Sequence, residues 1–150
     1  GLVILTAGYP TKKVIALKPG GTGDISGTDR IAWTYDKGTA YVPSPILYGD
    51  YLYLLTDSGI ITCLDAKTGA QVWQHRVGGG AHTSSLLFGD GAICAFAEDG
   101  SAIALRPGRE FVELGRGRLD EGGVKATPAI AGRSIFLRSE SHLYRLEIRP

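Results

Sequence analysis

This chain of 150 residues predicts an all-β fold made of β-propeller blades, each of four antiparallel strands, about four blades in all with two of them incomplete. Three observations predict it. The sequence repeats at roughly 40–45 residues, the interval of a propeller blade. Short apolar runs alternate with Gly-Asp, Asp-Gly and Ser-Gly turn signals. No stretch sustains a helical period, so almost no helix is expected.

The repeat is read by laying three segments on one another: "SPILYGDYLYLLTDSGIITCLDAKTGAQVW" from Ser44, "SSLLFGDGAICAFAEDGSAIALRPGREFVEL" from Ser84 and "TPAIAGRSIFLRSESHLYRLEI" from Thr127. Gly49, Gly89 and Gly132 then recur as turn glycines at intervals of 40 and 43 residues, and Gly59 and Gly100 are 41 apart. Trp33 and Trp73 are 40 apart.

The first blade, residues 1–43, holds "LVILTAGYPTKKVIALKP", a long loop, and "RIAWTY". Leu2–Leu5 already matches a second strand, so this blade lacks its inner one. The second blade, 44–83, is complete. Gly49-Asp50 turns the inner strand into Leu52–Leu55, Asp57–Gly59 turns that into Ile60–Leu64, and "AKTG" turns the third strand into an outer strand carrying Trp73. The third blade, 84–126, repeats this plan with turns at Gly89-Asp90 and Glu98–Gly100 around Ile93–Ala97. The fourth, 127–150, has Ser134–Leu137 as its second strand and stops after its third. An open stack of this kind leaves two apolar blade faces uncovered. The expectation is therefore the C-terminal half of a longer propeller, or a half that pairs with a second copy of itself into an eight-bladed homodimeric ring about a two-fold axis.

Composition narrows the function classes. Apolar residues are 43% and charged residues 21%, an ordinary globular balance. A net charge of +1 gives no footprint for nucleic acid. No apolar run reaches the roughly 18–20 residues of a membrane-spanning helix. There is no N-terminal signal segment, and the chain has no Met and starts at Gly1, so a processed or cut piece is expected. Cys63 and Cys94 both sit in apolar runs, far from CxxC spacing, and read as two buried thiols.

"CLDAKTGAQVW" resembles the tryptophan-docking motif of quinoprotein-type propellers, in which a small residue, an Asp, a Thr-Gly and a Trp recur at fixed spacing. Here those positions are Cys63, Asp65, Thr68, Gly69 and Trp73. The residue chemistry suits a joint. Gly69 tolerates the positive φ of a tight turn, and Asp65 and Thr68 can bond the turn backbone. Trp73 offers a flat ring to the neighbouring blade and an indole N–H that needs an acceptor there. Over nearly its whole length the chain is similar to bacterial PQQ-like (pyrroloquinoline-quinone-like) repeat proteins. The motif is intact once. The first blade keeps Ala16 and Trp33 around a long insertion, and the third has Arg106 in place of Asp, with Phe111 near the Trp position.

For true quinoprotein dehydrogenases the resemblance implies a quinone, a calcium ion, a catalytic carboxylate and, in some, adjacent cysteines. Cys63 and Cys94 are not adjacent, and no Asp, Asn or Glu cluster recurs across blades. The expectation is a non-catalytic scaffold or protein-interaction module with no catalytic, cofactor-binding or metal residues. The alternative is a fragment of a PQQ-dependent, calcium-binding oxidoreductase. The Gly-rich loop "PGGTGDISGTD" (Pro19–Asp29) lacks the lysine and helix of a phosphate-binding loop, and Asp24, Ser26, Thr28 and Asp29 lack the terminal Glu of a calcium loop. His75, His82 and His142 show no metal spacing and are expected at the surface or rim. No G-x-S-x-G elbow is present.

Binding is expected on the connections from each outer strand to the next inner strand: Thr34–Pro43, Gln74–Thr83 and Gly115–Thr127. They carry Tyr35, Lys37, Tyr41, His75, Arg76, His82, Arg116, Arg118 and Lys125, aromatic and basic groups that suit a peptide, protein or acidic ligand. Gly78-Gly79-Gly80 suggests mobility there. The family resemblance implies a periplasmic or exported bacterial protein.

Overall fold

In the computed structural model, which describes residues 1–147, fourteen strands form four separate antiparallel sheets, with no helix among the described residues. The first sheet holds β1 (Val3–Ala7), β2 (Lys13–Leu17) and β3 (Ile31–Tyr35). The second orders β4 (Ile46–Tyr48), β5 (Tyr51–Leu55), β6 (Ile60–Asp65) and β7 (Gln71–Arg76) from inside out. The third does the same with β8 (Leu87–Gly89), β9 (Ala92–Phe96), β10 (Ser101–Arg106) and β11 (Val112–Arg118). The fourth holds β12 (Ala129–Ala131), β13 (Ser134–Arg138) and β14 (Leu143–Glu147). These are blades 1 to 4. Residues 148–150, assigned to the fourth blade from sequence, lie outside the described residues.

The core lies between blades rather than within them, because side chains of a strand point alternately to its two faces. On β5, Leu52 and Leu54 join Val14, Ala16, Trp33 and Tyr35 of blade 1 in one cluster. Tyr53 and Leu55 point the other way, into a second cluster with Ile93, Ala95, Ile103 and Leu105 of blade 3. Phe96 then meets Ile135 and Leu137 of blade 4 in a third. An interior strand such as β5 is consequently buried on both faces, whereas β1, with no blade behind it, leaves Val3 and Leu5 47% and 50% exposed. At the other end of the stack Leu143 is 73% exposed.

The inner strands are linked by a ladder of hydroxyls. Ser44 N donates to Ser85 Oγ at 2.9 Å, and Ser85 N donates to Thr127 Oγ1 at 2.9 Å. The strand register moves one expected turn. In blade 3 the turn is Asp90-Gly91, both with positive φ, and Gly89 is a strand residue, not a turn glycine like Gly49 or Gly132. A Cβ on Gly89 would run into Ile130 Cδ1 of blade 4, so this glycine serves the approach of the neighbouring blade.

Candidate functional site

The motif that dominates the sequence is spent on a joint within the fold. Asp65 Oδ1 accepts from Lys67 N, Thr68 N and Thr68 Oγ1 at 2.9–3.0 Å, tying off the turn between β6 and β7. Those bonds, the Thr68 hydroxyl first, hold the Asp65 carboxyl below its ordinary pKa. The ring seated on this turn is Trp33 of blade 1. Its Nε1 donates to Ala66 O at 3.1 Å, and a Cβ on Gly69 would lie 2.6 Å from the ring. Trp73 repeats the arrangement one blade on, donating to Gly108 O at 3.1 Å in the turn between β10 and β11. Tyr53 Oη accepts from Gly108 N at 2.8 Å, so the same residue is gripped from both sides.

Strand register shows where the pattern stops. In blades 1, 2 and 3 the outer strand bulges at Ala32, Val72 and Leu114, next to the residues that pair with Ala16, Cys63 and Ala104, which are Trp33, Trp73 and Gly115. Gly115, not Phe111, therefore occupies the tryptophan position of blade 3. Phe111 faces back to blade 2, stacked on His75 at 3.8 Å and edge-on to Trp73 at 5.5 Å. No indole reaches from blade 3 to blade 4 among the described residues. A carboxylate stands at that seam instead. Glu121, between β11 and β12, accepts from Ser139 Oγ, from Ser141 Oγ at 2.6 Å and from Tyr144 Oη at 3.1 Å, with His142 Nδ1 also 3.1 Å away. Hydrogen bonds from Ser139 and then Ser141 hold the Glu121 pKa at about 2.

The nine residues expected to form a recognition face are dispersed. His75 and Arg76 belong to β7, Arg116 and Arg118 to β11, and Tyr35 to β3, because the outer strands run further than their sequence suggested. Tyr35 is 8% exposed and donates to Gln71 Oε1 at 2.8 Å, so it is part of the first seam. His82 is also misplaced by a surface reading. It is 2% exposed, with Nδ1 3.2 Å from Gly80 O, and burial pushes its pKa below the usual imidazole value. Arg76 Nη1 donates to Ser58 O, and Arg116 makes a two-pronged contact with Glu113 and reaches Val77 O. Lys37, Tyr41 and Lys125 are the three that remain exposed on connections between strands. Within the glycine run only Gly79 is closely approached, a Cβ there lying 2.7 Å from Ala97 Cβ, and His82 N just beyond the run donates to Asp57 O.

Two residues that sequence reading passed over, Tyr9 and Lys12, join Tyr41. They sit on the β1–β2 turn, beside the β3–β4 connection that carries Tyr41. Tyr9 is 81% exposed and meets the Tyr41 ring edge-on at 6.5 Å. Lys12 Nζ lies 5.9 Å from the Tyr41 centroid and 3.1 Å from Asp57 Oδ2. Asp57 also accepts Tyr41 N and Val42 N. Burial works to raise the Asp57 pKa, but the Tyr41 N–H, Lys12 and the Val42 N–H outweigh it and hold it low. Below this group a cavity of about 330 Å³ opens, lined by Lys12, Asp36, Thr39, Thr56, Asp57 and Ser58 among others. The signal in the sequence was the pair of tyrosines flanking turn residues in the incomplete first blade, which periodicity does not weigh.

The cysteines lie in different seams, Cys63 in the second cluster and Cys94 against the third, and both are free. Burial pushes the Cys63 thiol to about 12 and raises Cys94 as well. Among the described residues no three His, Cys, Asp or Glu side chains gather as a metal site. In the Gly-rich loop, Asp24 accepts Ser26 N, Thr28 Oγ1 donates to Ile25 O, and Asp29 pairs with Lys18 at 3.6 Å. No helix of the described residues is long and apolar enough to cross a membrane.

The same arrangement of blades occurs in known proteins. The outer membrane protein assembly factor BamB from Moraxella catarrhalis superposes with a TM-score of 0.72 at 22% identity, over 97% of this chain and 42% of that one. A quinohemoprotein alcohol dehydrogenase from Pseudomonas putida HK5 superposes at 0.67 with 16% identity, over 91% of this chain and 26% of its own. At these identities the likeness is one of fold. In sequence, BamB of Burkholderia pseudomallei is 36% identical over 78 residues, half of this chain and 20% of that protein. The chain thus spans less than half the length of these relatives. The family model described as outer membrane protein assembly factor BamB matches residues 10–149, and the chain belongs to that family of PQQ-like β-propeller repeats.

Proposed function

We propose that this chain is a non-catalytic scaffold, an arc of propeller that presents the loops between its blades to a protein partner. The supporting observation is how the motif residues are used. Asp65, Thr68, Trp33 and Trp73 are all engaged in joints, while Tyr9, Tyr41 and Val42 stand exposed together beside a seam. Membership of a family named for outer membrane protein assembly supports a partner in that process and a periplasmic or exported setting. No PQQ or calcium is assigned to it. The ring is completed by further blades that cover Val3 and Leu5 at one end and Leu143 at the other, in the rest of a longer chain or in a second copy.

The test is to titrate the full chain with PQQ and Ca²⁺, following quinone absorbance and melting temperature. No saturable change is expected, and a saturable shift would replace the scaffold with the oxidoreductase alternative. Light scattering at micromolar concentration decides the closure: twice the chain mass supports pairing, and the mass of one chain removes it.

A further inference from the structure

The innermost position of blade 1 is open, and three separate observations describe what fits it. The first is the edge of β1. Blades 2, 3 and 4 each begin with a three-residue inner strand, whereas β1 takes no partner on its inner side among the described residues. Register makes β1 a second strand: Val3 stands where Leu52 does, each pairing with the residue beside the bulge, Leu17 and Leu64. Its inner edge is therefore a row of unpaired backbone donors and acceptors. The second is the hydroxyl ladder. Ser44, Ser85 and Thr127 each lie two residues before an inner strand, and each backbone N–H serves the hydroxyl of the next blade. Ser44 Oγ begins that ladder, and nothing among the described residues donates to it.

The third is Leu47. It is the middle residue of β4, as Phe88 is of β8 and Ile130 of β12. All three pair with a residue that packs on the preceding blade, Leu52, Ile93 and Ile135. Phe88 is half-buried against Tyr48, with 4.2 Å between ring centroids, and Ile130 is half-buried where it reaches Gly89. Leu47 has no preceding inner strand to meet and is 57% exposed.

We propose that this gap binds one extended strand of a partner protein, added to the edge of β1 in the place of an inner strand. The register of blade 2 supplies its chemistry. An antiparallel segment opposite Ile4, Val3 and Leu2, in that order, turns its first and third side chains toward blade 2. The first joins Leu2, Ile4, Leu52 and Leu54, and the third covers Leu47, so both are apolar. The residue two before the first gives its N–H to Ser44 Oγ, so it is not proline. A second copy of this chain has no strand to spare, since all fourteen are bonded within their own sheets. The proposal rests on the scaffold reading and supplies a partner chemistry for it.

The experiment is an amide NMR titration of the full chain with acetyl-Ser-Lys-Ile-Lys-Tyr-amide, which carries this pattern. The control is the same peptide N-methylated at its last three residues, which has no donors for a ladder. The first peptide should shift the amides of Leu2, Val3, Ile4, Ser44 and Leu47 saturably, and the methylated one should leave them in place. Ser44→Ala should weaken binding about fivefold, the effect of losing one neutral hydrogen bond. Leu47→Ala should weaken it about tenfold, through lost apolar contact. Both side chains are exposed, so both variants should keep the wild-type melting temperature. Equal shifts with both peptides, no saturable shift with the first, or undiminished binding by either variant overturns the proposal. Shifts of the same amides with chain concentration alone give the gap to a second copy and overturn it too. Peptide shifts confined to Tyr9, Tyr41 and Val42 overturn this gap but leave the scaffold standing, whereas the quinone titration tests the scaffold itself.

Discussion

At the first two seams an indole from one blade lies across the outer turn of the next and donates to its backbone. At the third seam the equivalent position is Gly115, and Glu121 collects hydroxyl donors from the turn of blade 4 instead. A tryptophan removes a large apolar area from water and is indifferent to pH. A partly exposed carboxylate depends on remaining ionised and gains less in high dielectric. The blades therefore share a backbone plan while their joints differ in what can undo them, and the seam to blade 4 adds a carboxylate joint to its apolar cluster.

The largest expected effect is at the first seam. Trp33→Ala should cost about 3–5 kcal/mol in urea unfolding, the usual loss for a buried tryptophan, and Trp73→Ala somewhat less because its ring is only partly buried. Equal midpoints for either variant and the wild type would remove the joint it tests. Gly69→Ala should follow at about 1–3 kcal/mol, since a side chain there faces both a φ of +72° and the Trp33 ring. Gly115→Ala is its counterpart, with nothing within 4 Å of the added Cβ, and should change stability by no more than about 0.5 kcal/mol.

pH separates the seams further. His82 is buried and its folded pKa lies below the ordinary imidazole value of 6.5, so the folded state resists protonation. Its contribution is complete above pH 6.5 and is lost as the pH falls below that value, because the unfolded chain then binds a proton the fold does not. The hydrogen bond with Gly80 O, then the charges of Asp99 and Glu98, oppose this shift without cancelling it. His82→Val should flatten the melting temperature between about pH 7 and 5, and Val is the chosen replacement because Val124 is buried at the corresponding place of the next connection. Glu121 acts in a lower window. Its folded pKa of about 2 lies under the ordinary value of 4.5, so the stability it contributes is present above pH 4.5 and disappears as the pH falls toward 2. Amide exchange in β13 and β14 should rise through that window, while the first seam stays protected. Glu121→Gln should remove the pH dependence, and a dependence that persists would assign it to another group.

Strand order and blade number were legible because period-two alternation and turn chemistry are local, and they recur four times in this chain. The docking tryptophans were legible for a related reason: an Asp, a Thr-Gly and a Trp at fixed spacing describe one turn and its neighbouring strand. The shift of the blade 3 turn to Asp90-Gly91 was not, because two glycines flank Asp90 and only pairing with β9 selects between them. The recognition residues fared worst. Tyr35 and His82 have the composition of a rim, yet the seam closes over both.

By itself, the sequence determined that this is an all-β repeat with a tryptophan joint, since strand alternation and turn chemistry are local and recur at the blade period. Tertiary structure alone decided that blade 3 has no such joint, that Glu121 stands at that seam, and that Tyr9, Lys12 and Tyr41 gather beside an open cavity. Each of these depends on which turn of one blade meets which connection of another. That is set by bulges and register between blades, which the turn and strand signals within one blade do not specify.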